Sequence, residues 1–271
     1  MTPVASVRPS SHPTVQYLLR LGDTCLILGQ RLSEWCGHAP VLEEDLALAN
    51  IALDLIGQSR HVLSRAGELS GSTGGPLLSE DELAYLRDPD AFMNVSIVEL
   101  TNGPDGCTGG RDFAFAVVRN LIMSTYMVLW WEKLVASTDA SIALTAEGAV
   151  KEARYHQRHS TDWLVRLGNG TDESHRRAQG ALVAAWPYCA ELFEADRIDE
   201  EAAASGLGPR CGDLTLPWRT HMAATIAAAG LVTPEASPER TRAKRGVHTE
   251  HLAPLLAEMQ ILPRQFPGGV W

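Results

Sequence analysis

A chain of 271 residues with 45% apolar and 21% charged residues has the composition of a globular protein long enough to bury a substantial core. Its formal net charge of -10 argues against a nucleic-acid or anionic-membrane surface, because phosphate binding needs clustered Lys and Arg and the run RTRAKR (240–245) is short and mixed. Five cysteines (Cys25, Cys36, Cys107, Cys189 and Cys211), widely spaced and without a CxxC, secretory leader or apolar run of about 18 residues, point to reduced thiols in a cytoplasmic protein with no transmembrane helix.

Residues 1–13, MTPVASVRPSSHP, are rich in Pro and Ser and read as a flexible lead-in to a single helical domain over 14–271. Val15, Leu18, Leu19, Cys25, Leu26, Leu28 and Leu32 recur at helical spacing and predict a first helix over 15–36. Pro40 and the acids Glu43, Glu44 and Asp45 suit the start of a second helix over 41–68. Its apolar series, Leu46, Ala49, Leu53, Ile56 and Val62, runs toward Gly67. Residues 70–111 differ: GSTGGP (71–76) and NGPDGCTGG (102–110) bracket a short helical piece near 80–86, which makes a long crossover. Phe113, Val117, Leu121, Ile122, Tyr126, Leu129 and Trp130 predict a third long helix over 112–136, and a fourth covers 139–167. Thr171 caps a fifth, with Asp172 and Glu173 in its first turn, and shorter helices follow from about 196. There is no alternating strand pattern and no repeat. Four long helices in two pairs, joined by a long crossover between the second and third, predict an all-α fold: a ferritin-like four-helix bundle with extra C-terminal helices.

Ferritin-like di-iron sites take one carboxylate from each of two helices and Glu-x-x-His from each of the other two. The i, i+3 spacing puts both ligands on one helical face. No Glu-x-x-His occurs in the chain. The nearest approaches are Asp172-x-x-His175, at a helix start where an acid suits the dipole, and AVKEARYHQRHS (149–160). In the latter Glu152 and His156 are i, i+4, and His156-x-x-His159 would need further ligands to hold zinc. His248-x-Glu250-His251 likewise lacks evident third and fourth ligands and reads as structural. No phosphate loop, nucleophile elbow or Cys–His pairing pattern is present.

Four stretches carry a resemblance: RLSEWCGHAPVLEEDLALANIALDLIGQSR (31–60), KEARYHQRHSTDWLVRLGNGTDES (151–174), WPYCAELF (186–193) and GVHTEHLAPLLAEMQ (246–260). From about residue 15 to its end the chain resembles the non-catalytic C subunits of bacterial phenylacetyl-CoA epoxidase, a multicomponent monooxygenase. The catalytic A subunits of that system share the fold, and their ligand motifs can be laid over this sequence. The second-helix D-E-x-G-H falls on Asp54-Leu55-Ile56-Gly57-Gln58, so Leu55 stands at a Glu position and Gln58 at a His position. The fourth-helix K-E-E-x-x-H falls on residues 151–156, where Ala153 replaces the Glu and His156 survives. By the same register Cys25 and Ser124 take the first- and third-helix carboxylate positions. The resemblance thus implies a vestigial site at Cys25, Leu55, Gln58, Ser124, Ala153 and His156, with no metal and no catalytic residue in this chain.

It further implies pairing with the di-iron A subunit, assembly with a B subunit, and electron supply from a reductase carrying flavin and an iron–sulfur centre. The segment RDPDAFMN (87–94) resembles the family's R-D-x-x-x-F-x-N stretch, which makes Ala91, Phe92, Met93 and Asn94 candidates for contact with acyl-CoA near the subunit interface; a docked loop with Phe92 packed inward is the competing reading. Trp35, Trp130, Trp131 and Trp163 read as core or interface. Two other classes stay open: a catalytic ferritin-like oxidase with unusual ligands, and a free-standing helical binding module. His156 is expected to be neutral and hydrogen-bonded to Gln58 or a water.

Overall fold

The computed structural model describes residues 5–103, 110–235, 238, 241–267 and 269. Within them the chain forms nine α-helices: α1 (Pro13–Ser33), α2 (Leu42–Ser72), α3 (Glu80–Tyr85), α4 (Phe113–Leu134), α5 (Ala140–Gly168), α6 (Asp172–Ala185), α7 (Arg197–Ser205), α8 (Cys211–Ala228) and α9 (Leu252–Gln265). One isolated bridge joins Arg242 to Val247, and no β-strand occurs among the described residues. The fold is all-α and ferritin-like. α1 packs along α2 and α4 along α5, while α2 also lies against α5. α6 and α8 cover α4 and α5, α7 docks on α1, and α3 meets α9.

Local chemistry sets most helix starts. Asp112 accepts from Ala114 N to open α4, and Asp139 accepts from Ser141 N and Ile142 N to open α5. Ser79 and Glu82 form a reciprocal capping box on α3, as do Thr171 and Ser174 on α6. α2 has no side-chain cap, and its start relies on Glu43, Glu44 and Asp45 lying against the positive end of the helix dipole. α4 is apolar nearly all round because it runs through the core; by length and composition it would suit a membrane, yet 89% of its most apolar 18-residue stretch is buried inside the protein.

Three expectations change. α2 does not end near Gly67 but continues to Ser72, because that glycine serves close packing rather than termination. A Cβ added there would collide with the Leu78 carbonyl oxygen. Gly67→Ala is therefore expected to destabilise the protein in urea titrations. The overpacking cost of about 1–3 kcal/mol exceeds the roughly 1 kcal/mol gained in helix propensity. A stabilised variant would mean that the Leu78 loop yields freely.

The core face of α2 is also not the predicted one. Leu48, Ile51, Leu55, Val62 and Ala66 point inward, whereas Leu46 and Leu53 are 58% and 66% exposed. Two apolar stripes share one helix, and only the positions of α1 and α5 decide which is buried. Lastly, the described part of the lead-in is pinned. Ser10 N donates to Ser70 Oγ at 2.9 Å, Val7 N donates to Leu86 O at 3.1 Å, and Arg8 pairs with Asp90.

Candidate functional site

The residues at the six predicted positions come from all four long helices and meet inside the bundle. Leu55, Gln58, Ser124, Ala153 and His156 line one small internal void of about 10 Å³. That is barely the roughly 10–15 Å³ a single water needs. Cys25 joins them by donating its thiol to Gln58 Oε1 at 3.8 Å. Burial, reinforced by Asp23, holds the Cys25 thiol well above its ordinary range, so it stays protonated. Ser124 turns its hydroxyl back to Leu121 O at 3.4 Å. The geometry is that of i, i+3 pairs converging on one axis, and the chemistry is neutral at its centre.

His156 does not pair with Gln58. Its Nε2 lies 3.0 Å from Asp54 Oδ2, while Gln58 donates Nε2 to Glu152 Oε2 at 2.8 Å. The reason is helical register. Asp54 and Gln58 are i, i+4 on α2, Glu152 and His156 are i, i+4 on α5, and the two helices run antiparallel, so the partners match crosswise. The same register places Glu44 Oε2 2.9 Å from His159 Nε2 and lets Arg65 Nε donate to Asp139 Oδ2 at 2.9 Å. A polar seam thus stitches α2 to α5 along its length. The sequence held this in its i, i+4 pairs, but only the pairing of helices reveals it. Two carboxylates, Asp54 and Glu152, therefore stand at the rim of this centre, each already engaged. Among the described residues no group of three or more His, Cys, Asp or Glu is arranged to hold a metal ion.

Burial lowers the pKa of His156 from its ordinary 6.5, and the Asp54 hydrogen bond offsets this only in part. The unfolded chain thus takes up a proton at His156 more readily than the folded one. Its contribution to stability is complete above pH 6.5 and is lost as pH falls from 6.5 toward the lower folded value. His156→Gln is expected to flatten the acid side of a plot of Tm against pH below 6.5 relative to the parent. An unchanged slope would remove His156 as a source of it.

The crossover candidates take up structural tasks. Phe92 and Asn94 are fully buried and Met93 nearly so, with Ala91 partly exposed. The Arg87 guanidinium lies 4.1 Å over the Phe92 ring and donates to Ala91 O, while Met93 N donates to Asp23 and Asn94 Nδ2 to Glu99. Phe92, Met93 and Asn94 thus turn inward, the packing of the docked-loop reading. At the open side of this turn Asp88 and Asp90 are paired with Arg264 and Arg8. His248 is structural: Nδ1 lies 2.6 Å from Glu99 Oε1 and Nε2 3.0 Å from Phe92 O. Trp35, Trp130 and Trp131 are buried, and Trp163 packs edge-on against Phe113. Cys25, Cys36, Cys189 and Cys211 are free thiols; Cys107, like Arg240 and residues 104–109, lies outside the described residues.

A family model described as "Phenylacetic acid catabolic protein" matches residues 4–271 of the chain. Over 255 residues the chain is 46% identical to the C-type component of the 1,2-phenylacetyl-CoA epoxidase of Escherichia coli (strain K12), covering 94% of this chain and 98% of that protein.

Proposed function

This chain belongs to the phenylacetic acid catabolic protein family, and from that premise we propose that it is the non-catalytic C subunit of a phenylacetyl-CoA epoxidase. In this reading it pairs in the cytoplasm with the di-iron A subunit, which activates O2. A B subunit joins the assembly, and a reductase with flavin and an iron–sulfur centre supplies the electrons. The carrying observation is the vestigial centre: Leu55 and Ala153 stand where Glu ligands would be, and they line a void of only about 10 Å³. Buried carboxylates without a metal would cost several kcal/mol each through desolvation and repulsion, and apolar replacements remove that cost.

What this chain contributes is a rigid surface. Leu42, Leu46 and Leu53 form one exposed apolar stripe on α2, with Ala49 between them. That stripe, on a helix whose other face is fully packed, supports docking of the catalytic subunit there. The partner subunit would be held in shape, and the remote CoA tail of the substrate oriented near the interface.

The test is reconstitution. Epoxide formation from phenylacetyl-CoA by the A subunit and reductase should require this chain, whereas this chain with the reductase alone should form none. Leu46→Glu combined with Leu53→Lys should abolish co-purification with the A subunit while leaving the Tm of the isolated chain within a few degrees, since both side chains are exposed. Turnover by this chain without the A subunit, with iron bound at about two per chain, would establish the catalytic-oxidase alternative instead.

A further inference from the structure

The motif WPYCAELF has no part in the vestigial centre, yet it helps to wall a sizeable cavity. Pro187 tightens the end of α6 into a 3₁₀ turn, Trp186–Leu192, and this turn faces α8. Between them lies a cavity of about 380 Å³ walled by Trp186, Cys189, Phe193, Trp218, Arg219 and Thr233. That volume falls in the range of small-molecule sites, roughly 300–1,000 Å³. The aromatic wall is fixed in place. Trp218 donates Nε1 to Ile122 O at 3.0 Å, its ring centroid lies 5.7 Å from that of Trp186, and Phe193 meets it nearly edge-on at 5.2 Å.

The wall's charge is as informative as its shape. Arg219 is the charged group among the cavity residues named, is exposed, and has no ion-pair or hydrogen-bond partner among the described residues. Several surface guanidiniums pair with a carboxylate, as those of Arg176, Arg177 and Arg197 do, whereas that of Arg219 lines the cavity. Cys189 adds only bulk: burial holds its thiol protonated, and the thiol donates to Ala185 O. An apolar aromatic pocket with a cation that has no partner among the described residues selects a ring that can lie against its aromatic wall and an anion that can reach the guanidinium.

We propose that this cavity binds a planar aromatic molecule bearing an anionic group, the ring against Trp186 and Phe193 and the anion on Arg219. Two sources share that chemistry, an aryl carboxylate and a nucleotide. The inference stands apart from the subunit assignment, because it is measured on this chain alone. Isothermal titration of the full chain with phenylacetate and, separately, with adenosine 5'-monophosphate distinguishes them. One of the two should bind saturably with a dissociation constant of about 0.1–1 mM, as expected for a ligand of that size. Arg219→Gln should weaken it roughly tenfold and leave 2-phenylethanol, which has the ring without the charge, unaffected. Trp186→Ala should weaken both the anionic ligand and 2-phenylethanol, with the Tm confirming that the variant folds. The proposal is overturned by the absence of saturable binding of either probe at millimolar concentration, or by equal binding of acetate. Indifference of the bound probe to Arg219→Gln, which perturbs only an exposed side chain, also overturns it.

Discussion

Arg87→Met is expected to lower the free energy of unfolding by about 3–5 kcal/mol, a shift in Tm on the order of 10 °C. The side chains of Arg87 and Asp23 are both fully buried, and they join the crossover to α1. Arg87 Nη1 donates to Asp23 Oδ2 at 2.9 Å, its Nη2 contacts the second carboxylate oxygen, and Asp23 also accepts from Met93 N at 2.9 Å. Removing the arginine leaves a carboxylate in the core without its counter-charge. The desolvation cost of that orphan, rather than the attraction lost, dominates the effect. Asp23→Leu added to Arg87→Met should therefore recover part of the deficit, leaving chiefly the unpaired Met93 amide. Urea titrations of the four members of this cycle measure it. A double variant as unstable as the sum of the singles would mean that the two residues are not energetically coupled.

Restoring ligand residues to the vestigial centre is the second large expected effect. Leu55 and Ala153 are 3% and 1% exposed, so Leu55→Glu with Gln58→His and Ala153→Glu buries two carboxylates face to face. At pH 7 the triple variant should be less stable than the parent by about 3–5 kcal/mol. The sign with pH follows from burial. It raises the folded pKa of each new Glu above about 4.3, so the penalty is absent while both states are protonated. It then grows as pH rises through that value, and the deficit relative to the parent should shrink on acidification. A variant as stable as the parent at pH 7 would show that the void of about 10 Å³ opens to admit water or a cation. Recovery of stability on adding Fe2+ would show that the bundle still presents its ligand positions in coordinating geometry.

Helix existence was legible in the sequence because periodicity and capping are local. Asp139 before α5 and Thr171 before α6 bond amides two or three residues away, and no distant element is needed to read them. The inward convergence of Leu55 with Gln58 and of Ala153 with His156 was legible for the same reason, since i, i+3 spacing fixes a common face.

Tertiary structure alone decided which of two apolar stripes on α2 is core, because Leu46 and Leu48 differ only in what packs against them. It also decided that Gly67 is a contact with Leu78 rather than a helix end, and that His156 meets Asp54 and His159 meets Glu44. The two histidine contacts depend on the antiparallel register of α2 against α5, whose side chains are about a hundred residues apart. The crossover followed the same rule. RDPDAFMN identified itself as a distinct segment, but its inward direction rests on Asp23 and His248, both remote in sequence, as well as on the nearby Glu99. Local spacing fixes which residues share a face; the partner that the face meets is fixed only when the helices pack.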